Sequence, residues 1–236
     1  MLRVGLTGGL GSGKSTAAAI FQSLGAHILS SDEIGRALMQ PGEAVYAAIV
    51  SRFGTNVLLP DGRLDRAALA RLAFADHRVE ELNAIVHPAV IDRQAELAAA
   101  VGERDPHAIV IVESALIFET KYSETKYGET KYSESKHSGE QRGASEGWRH
   151  RFDVLILVTA PEELKVARFV ARSAAGRTLS DAERTALEDE AYRRMAQQIP
   201  DEQKAALCNY VLTNDGALTE LEWQIDRLWP LLLAAA

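Results

Sequence analysis

Nine residues near the start of the chain restrict its fold more than anything that follows: Gly8-Gly9-Leu10-Gly11-Ser12-Gly13-Lys14-Ser15-Thr16. They match G-x-x-x-x-G-K-[ST], follow the apolar run Leu2–Leu6 and open a helical run from Ser15 to Leu24. A backbone that must curl until several N–H groups face one phosphate cannot carry side chains at Gly8, Gly11 or Gly13. Lys14 supplies charge for the β- and γ-phosphates, Ser15 a hydroxyl for Mg²⁺, and the start of the helix a positive dipole end. The residues expected to hold a nucleoside triphosphate are therefore Gly11, Ser12, Gly13, Lys14, Ser15 and Thr16.

A strand feeding such a loop predicts more strands of the same kind. Short apolar runs at His27–Leu29, Ala108–Val112, Val154–Val158 and Tyr210–Leu212 alternate with helical patterns. This order predicts an α/β fold, a doubly wound parallel sheet of five strands. Residues 32–102 read as an inserted helical lobe, with helical patterns at Ala44–Phe53, Arg66–Ala75 and Val79–Val86. Residues 161–204 are helical, rich in arginine and without strand signal, which suggests a lid. The core then comprises residues 1–31, 103–160 and 205–236. The last helical pattern, Leu218–Leu233, meets Pro230, which is expected to end or kink it.

The chain of 236 residues is long enough to bury such a core. With 26 basic and 33 acidic residues its net charge is -7, which opposes attraction to phosphate polymers, so no nucleic-acid partner is expected. No apolar run approaches the ~18 residues that span a bilayer, so no membrane partner is expected either. A single cysteine, Cys208, excludes an internal disulfide and fits a reducing, cytoplasmic setting. A monomer or weak homo-oligomer is the expected state.

From Glu119 the sequence Glu-Thr-Lys-Tyr-Ser recurs with small changes at a period of five residues. That period advances about 140° per repeat on a helix and alternates faces on a strand, so the tyrosines form no single buried stripe. With Gly, Ser and mixed charges continuing to Gly147, residues 120–150 read as a low-complexity, solvated and disordered insertion. A partner-docking tract is the other reading.

Asp32 follows the second strand, at the carboxyl edge where ligands bind in such sheets, and suits an acceptor-orienting base. Ser30, Ser31 and Asp32 are also all good helix N-caps, and the sequence leaves both roles open. Glu113 ends its apolar run as an acid holding Mg²⁺ through water would, or as a plain strand-end cap. Arg168 and Arg172 lie one helical turn apart, suited to clamp transferring phosphoryl oxygens or to form a solvated face.

Several segments together resemble the dephospho-CoA kinase family of P-loop kinases. They are Gly5–Thr16, Leu24-Gly25-Ala26, Ser30–Ile34, Arg52-Phe53-Gly54, Asp61–Arg66, Leu82–Pro88, Ala115–Glu119, Arg194–Gln198 and Asn214-Asp215-Gly216. Ser30, Ala115 and Cys208-Asn209 depart from the family pattern. The resemblance implies a P-loop NTPase-type core with an acceptor-binding helical lobe. It further implies ATP and Mg²⁺ as cofactors and transfer of the γ-phosphoryl group to the ribose 3'-hydroxyl of dephospho-CoA. In that scheme Asp32, Lys14, Arg168 and Arg172 are catalytic. Arg66 and His87 join Asp32 in binding the acceptor, Asn214 contacts adenine, and Ser15 and Glu113 serve the metal. Arg66 could instead pair with Asp61 or Asp65, His87 could cap a helix ahead of Pro88, and Asn214 could serve a turn.

Two other functions use the same loop. Another metabolite or nucleoside-monophosphate kinase would share the cradle and lid. A GTPase switch would exploit Asp32-Glu33-Ile34-Gly35 as D-x-x-G, but the chain has no Asn-Lys-x-Asp to read guanine.

Overall fold

A computed structural model describes residues 1–75, 78–119 and 146–236. Most of the five-residue repeat lies outside the described residues. The elements in chain order are β1 (Leu2–Thr7), α1 (Lys14–Ser23), β2 (His27–Ser30), α2 (Ser31–Leu38), α3 (Ala44–Phe53), α4 (Arg66–Ala75) and α5 (Val79–Arg104). They continue with β3 (Ile109–Glu113), β4 (Val154–Thr159), α6 (Glu162–Ala174), α7 (Asp181–Met195), α8 (Asp201–Ala205), β5 (Tyr210–Thr213) and α9 (Leu218–Ala235).

The strands form the expected five-stranded parallel sheet, in the order β2-β3-β1-β4-β5. β1 lies between β3 and β4, with Val4 opposite Ile111 on one side and Val154 on the other. The inner strands β1, β3 and β4 are buried on both faces, which explains their near-continuous apolar runs. Val4, Leu6, Ile109, Ile111, Ile156 and Val158 join one cluster with α1 and α9, and the alternate residues Val110, Val112, Leu155 and Leu157 are buried as well. β5 is an edge strand, and the side-chain amide of Gln224 on α9 satisfies both backbone groups of Thr213, at 2.9 and 2.8 Å. A side chain thereby takes the place of a sixth strand.

The chain divides into two compact units. The first comprises Met1–Ile28, Ala100–Glu119 and Trp148–Ala236, and so includes the sheet core and the helices of residues 161–204. Within it Val166, Phe169 and Val170 of α6 bury against Ala191 of α7, with Leu10 of the phosphate loop packed on the same cluster. Ser180 and Glu183 form a capping box that starts α7. Lys204 is fully buried and its ammonium lies 2.7 Å from Glu119 Oε1, which also accepts the Ile199 amide at 3.1 Å.

The second unit contains the helical segment Leu29–Ala99, whose core is Val45, Ile49, Phe53, Val57, Leu64 and Leu69. Gly54 ends α3 at φ 82°, a left-handed conformation that a side chain disfavours. Arg78 stacks 4.5 Å over the Phe53 ring, and Glu81 accepts from both Arg52 and Arg78.

Two prolines lie inside helices. Of the end or kink expected at Pro230, the end does not occur, and Pro88 sits inside α5, so His87 is a mid-helix residue and not the cap of a following helix. Each proline removes one helical hydrogen bond. Burial on either side outweighs that loss: Leu228 and Leu232 flank Pro230, while Val90 and Ile91 follow Pro88.

Candidate active site

The phosphate loop occupies the turn from β1 into α1, and three of its glycines, Gly8, Gly11 and Gly13, are sterically required. Gly13 is the N-cap at φ 95°, and a Cβ there would lie 2.0 Å from Asn214 Nδ2. A Cβ on Gly11, at φ 71°, would meet the Lys165 carbonyl oxygen at 2.3 Å, and one on Gly8 the Val158 oxygen at 2.2 Å. Alanine at Gly8 or Gly11 needs both a strained φ and a shift of the facing backbone, and at Gly13 a strained φ and displacement of the Asn214 amide.

The first intrahelical bond of α1 is Ala17 N–H to Gly13 C=O, 3.0 Å. The amides of Lys14, Ser15 and Thr16 precede it and have no intrahelical acceptor. No side chain caps this terminus, and α1 has no acid in its first turn, whereas α6, α7, α8 and α9 all do. An acid here would compete with a bound anion, so the sequence leaves the positive end of α1 uncompensated. Ser12 contributes through its backbone: its hydroxyl is buried, its amide turns back to Gly9 O at 3.3 Å, and its carbonyl accepts from Asn214.

Lys14 donates to the carbonyl oxygens of Gly8 and Gly9 at 2.8 and 3.1 Å. Ser15 Oγ donates to Glu113 Oε1 at 2.8 Å, so the helix start and the end of β3 present a hydroxyl and a carboxylate side by side. That pair is all oxygen, and no cluster of three or more His, Cys, Asp or Glu side chains occurs among the described residues. Such a sparse oxygen site suits a cation that keeps waters and takes its other ligands from phosphates.

Asn214 and Arg168 form a brace under the loop. Asn214 follows β5, is buried, and donates from Nδ2 to Ser12 O at 2.9 Å. Its Oδ1 and its carbonyl accept from the two terminal nitrogens of Arg168, at 3.3 and 2.9 Å. The amide expected to reach adenine is thus engaged with the loop backbone. Arg172, one turn further along α6, is exposed and lies 5.9 Å from the Phe169 ring centroid, and Arg194 lies 5.5 Å from the same centroid.

In the helical unit, Asp32 and Arg66 line one cavity of about 420 Å³ together with Arg36, Asn83 and the apolar side chains of Met39, Leu69, Val79 and Leu82. The capping question resolves in favour of Ser30, whose hydroxyl accepts from Glu33 N at 3.4 Å, leaving Asp32 in the first turn of α2. The departure at Ser30 therefore has a local use. Arg66 pairs with neither aspartate proposed for it: Asp61 binds Arg63 at 2.7 Å, and Asp65 caps α4 through Ala68 N at 2.9 Å. Arg63 holds the Asp61 carboxyl below its usual range. His87 is not among the cavity's lining residues, and burial lowers its pKa, with Glu80 opposing. Arg36 was not among the residues expected here, although its position one helical turn after Asp32 puts both on one face of α2.

Among the described residues, no helix is long and apolar enough to cross a membrane. The family model described as CoaE: Dephospho-CoA kinase matches residues 2–129. A dephospho-CoA kinase of Geobacter sulfurreducens is 34% identical, with 96% of this chain and 96% of the relative covered. One from Frankia casuarinae is also 34% identical, with coverage of 99% and 85%. A crystal structure of a Thermus thermophilus protein is 30% identical and superimposes with a TM-score of 0.67, covering 98% of this chain and 97% of that one. A phosphate loop of this construction and full-length likeness to these relatives lead to one conclusion: the chain belongs to the dephospho-CoA kinase family.

Proposed function

We propose a division of labour for the reaction of this family, the ATP-dependent phosphorylation of dephospho-CoA: the first unit holds ATP and the helical unit the acceptor. The observation that carries the donor half is the uncapped, acid-free start of α1 behind glycines that tolerate no side chain. Backbone amides of Gly11, Gly13, Lys14, Ser15 and Thr16 cradle the phosphates, and Lys14 neutralises charge at the β/γ end. Ser15 and Glu113 would hold Mg²⁺, the latter through water. That ion, when bound, offsets phosphate charge.

Asp32 orients the ribose 3'-hydroxyl and takes its proton as that oxygen bonds to the γ-phosphorus. The bond from the γ-phosphorus to the β–γ bridging oxygen breaks, and ADP leaves. Arg36 and Arg66 suit the diphosphate of dephospho-CoA, and the apolar wall of Met39, Leu69, Val79 and Leu82 suits the pantetheine arm. His87 supports the acceptor from the middle of α5. Arg168 acts by fixing Asn214 and the loop, and Arg172, exposed on α6, is the arginine available to a transferring phosphoryl group as residues 161–204 close as a lid. A cytoplasmic location fits this chemistry.

ATP consumption measured with dephospho-CoA against pantetheine, AMP, shikimate and gluconate tests the assignment. Turnover with dephospho-CoA alone is expected. Equal turnover with AMP or shikimate would move the acceptor assignment to another metabolite.

A further inference from the structure

Polar side chains from α6, α8 and the turn after α7 converge on the first peptide of the phosphate loop, and the roles assigned above do not use them. Gln198 Oε1 accepts from Leu10 N–H at 3.1 Å. Gln198 Oε1, Asp201 Oδ1 and Lys165 Nζ lie 3.4, 3.5 and 3.7 Å from the point where a Cβ on Gly9 would stand. Lys165 is buried at 8% exposure, and its ammonium is paired with Asp201 Oδ2, which also accepts from Thr159 Oγ1. A buried ion pair is a poor source of net stability, because desolvation offsets most of the attraction. Here it forms a fixed polar wall on one side of Gly9.

The Leu10 N–H and the Gly9 C=O belong to the same peptide group. In a trans planar peptide they point in opposite directions. Gln198 holds the N–H and Lys14 Nζ holds the C=O, at 3.1 Å. Gly9 has no side chain to oppose rotation of this peptide, and among the described residues its carbonyl has, besides Lys14, only the long 3.3 Å contact from Ser12 N–H, so loss of Gln198 removes the hold on the opposite edge of the plane and loosens the carbonyl that faces Lys14. We infer that Gln198 is a positioning residue for phosphoryl transfer: by anchoring the Gly9–Leu10 peptide it steadies one of the two carbonyls that aim the Lys14 ammonium. The inference rests on the reading that ATP occupies this loop.

The test is a double-mutant cycle on the full chain. Gln198→Leu keeps the bulk and removes the acceptor. It should lower kcat about tenfold while the Kd for ADP stays within about twofold, because the lysine acts at the transferred phosphoryl group. In a Lys14→Ala background the same substitution should change kcat less than about twofold, since the group it positions is gone. Gln198→Asn, which retracts the acceptor by one methylene, should show the same split and serves if the leucine variant fails to fold. Equal fold losses in both backgrounds, an unchanged kcat, or parallel loss of ADP affinity and kcat would overturn the inference. A wild-type protein that binds no Mg-ADP would instead remove the reading beneath it, whatever Gln198 does.

Discussion

In the proposed division of labour the phosphate loop and the cavity of the helical unit would each hold a phosphorylated molecule, with different materials. The loop uses backbone: its amides are directed by glycines, and side chains such as Asn214 and Gln198 serve to hold the backbone still. The cavity uses side chains on helices α2, α4 and α5, with Asp32, Arg36 and Arg66 set against an apolar wall. Backbone recognition depends on conformation and tolerates almost no substitution. Side-chain recognition can be adjusted one residue at a time, and that is where substrate choice within such a fold can change.

Four experiments test that contrast. Lys14→Ala should lower kcat/KM for ATP by roughly a hundredfold or more, with weakened ATP binding; wild-type kinetics would remove the loop from the chemistry. Asp32→Asn should spare ATP binding but slow transfer by more than about tenfold in single-turnover measurements. An unchanged rate would leave the helical unit with a binding role only. Asn214→Ala removes a brace, so it should weaken ATP and GTP alike, by about three- to tenfold for the hydrogen bonds lost. A selective loss of ATP would show the amide reading adenine instead.

The smallest effect concerns His87. Burial depresses its folded pKa, so the unfolded chain takes up a proton that the folded chain resists. The stability it contributes is present above about pH 6.5, the ordinary histidine value, and is lost as pH falls below it. Denaturation of wild type and His87→Gln at pH 7.5 and 5.5 should show a smaller acid loss in the variant. Equal losses would assign the acid sensitivity to other groups.

How well each region could be read from sequence follows from the same contrast. The loop was legible because a tight phosphate cradle dictates glycine, lysine and serine at fixed spacing. The inner strands β1, β3 and β4 were legible because both their faces are buried, so their apolar runs are near-continuous. The brace was not, because Asn214 meets Ser12 across 202 positions of chain and nothing local marks it. Pro88 and Pro230 misled the reading of α5 and α9, since burial of their neighbours outweighs the local penalty only after tertiary packing. Arg36 carried a usable signal, its spacing from Asp32. The choice of Ser30 over Ser31 and Asp32 as cap did not, because all three are good capping residues.

One contact in the first unit bears on the tandem copies that begin at Glu119. Phe118 and Trp148 stand edge to face, 5.0 Å between ring centroids, while Lys204 grips Glu119 from beneath. The described chain is thus held on both sides of the insertion by contacts within one unit. A change in the number of five-residue copies would leave both of these anchors in place, which makes the stretch a practical one for splicing in a reporter.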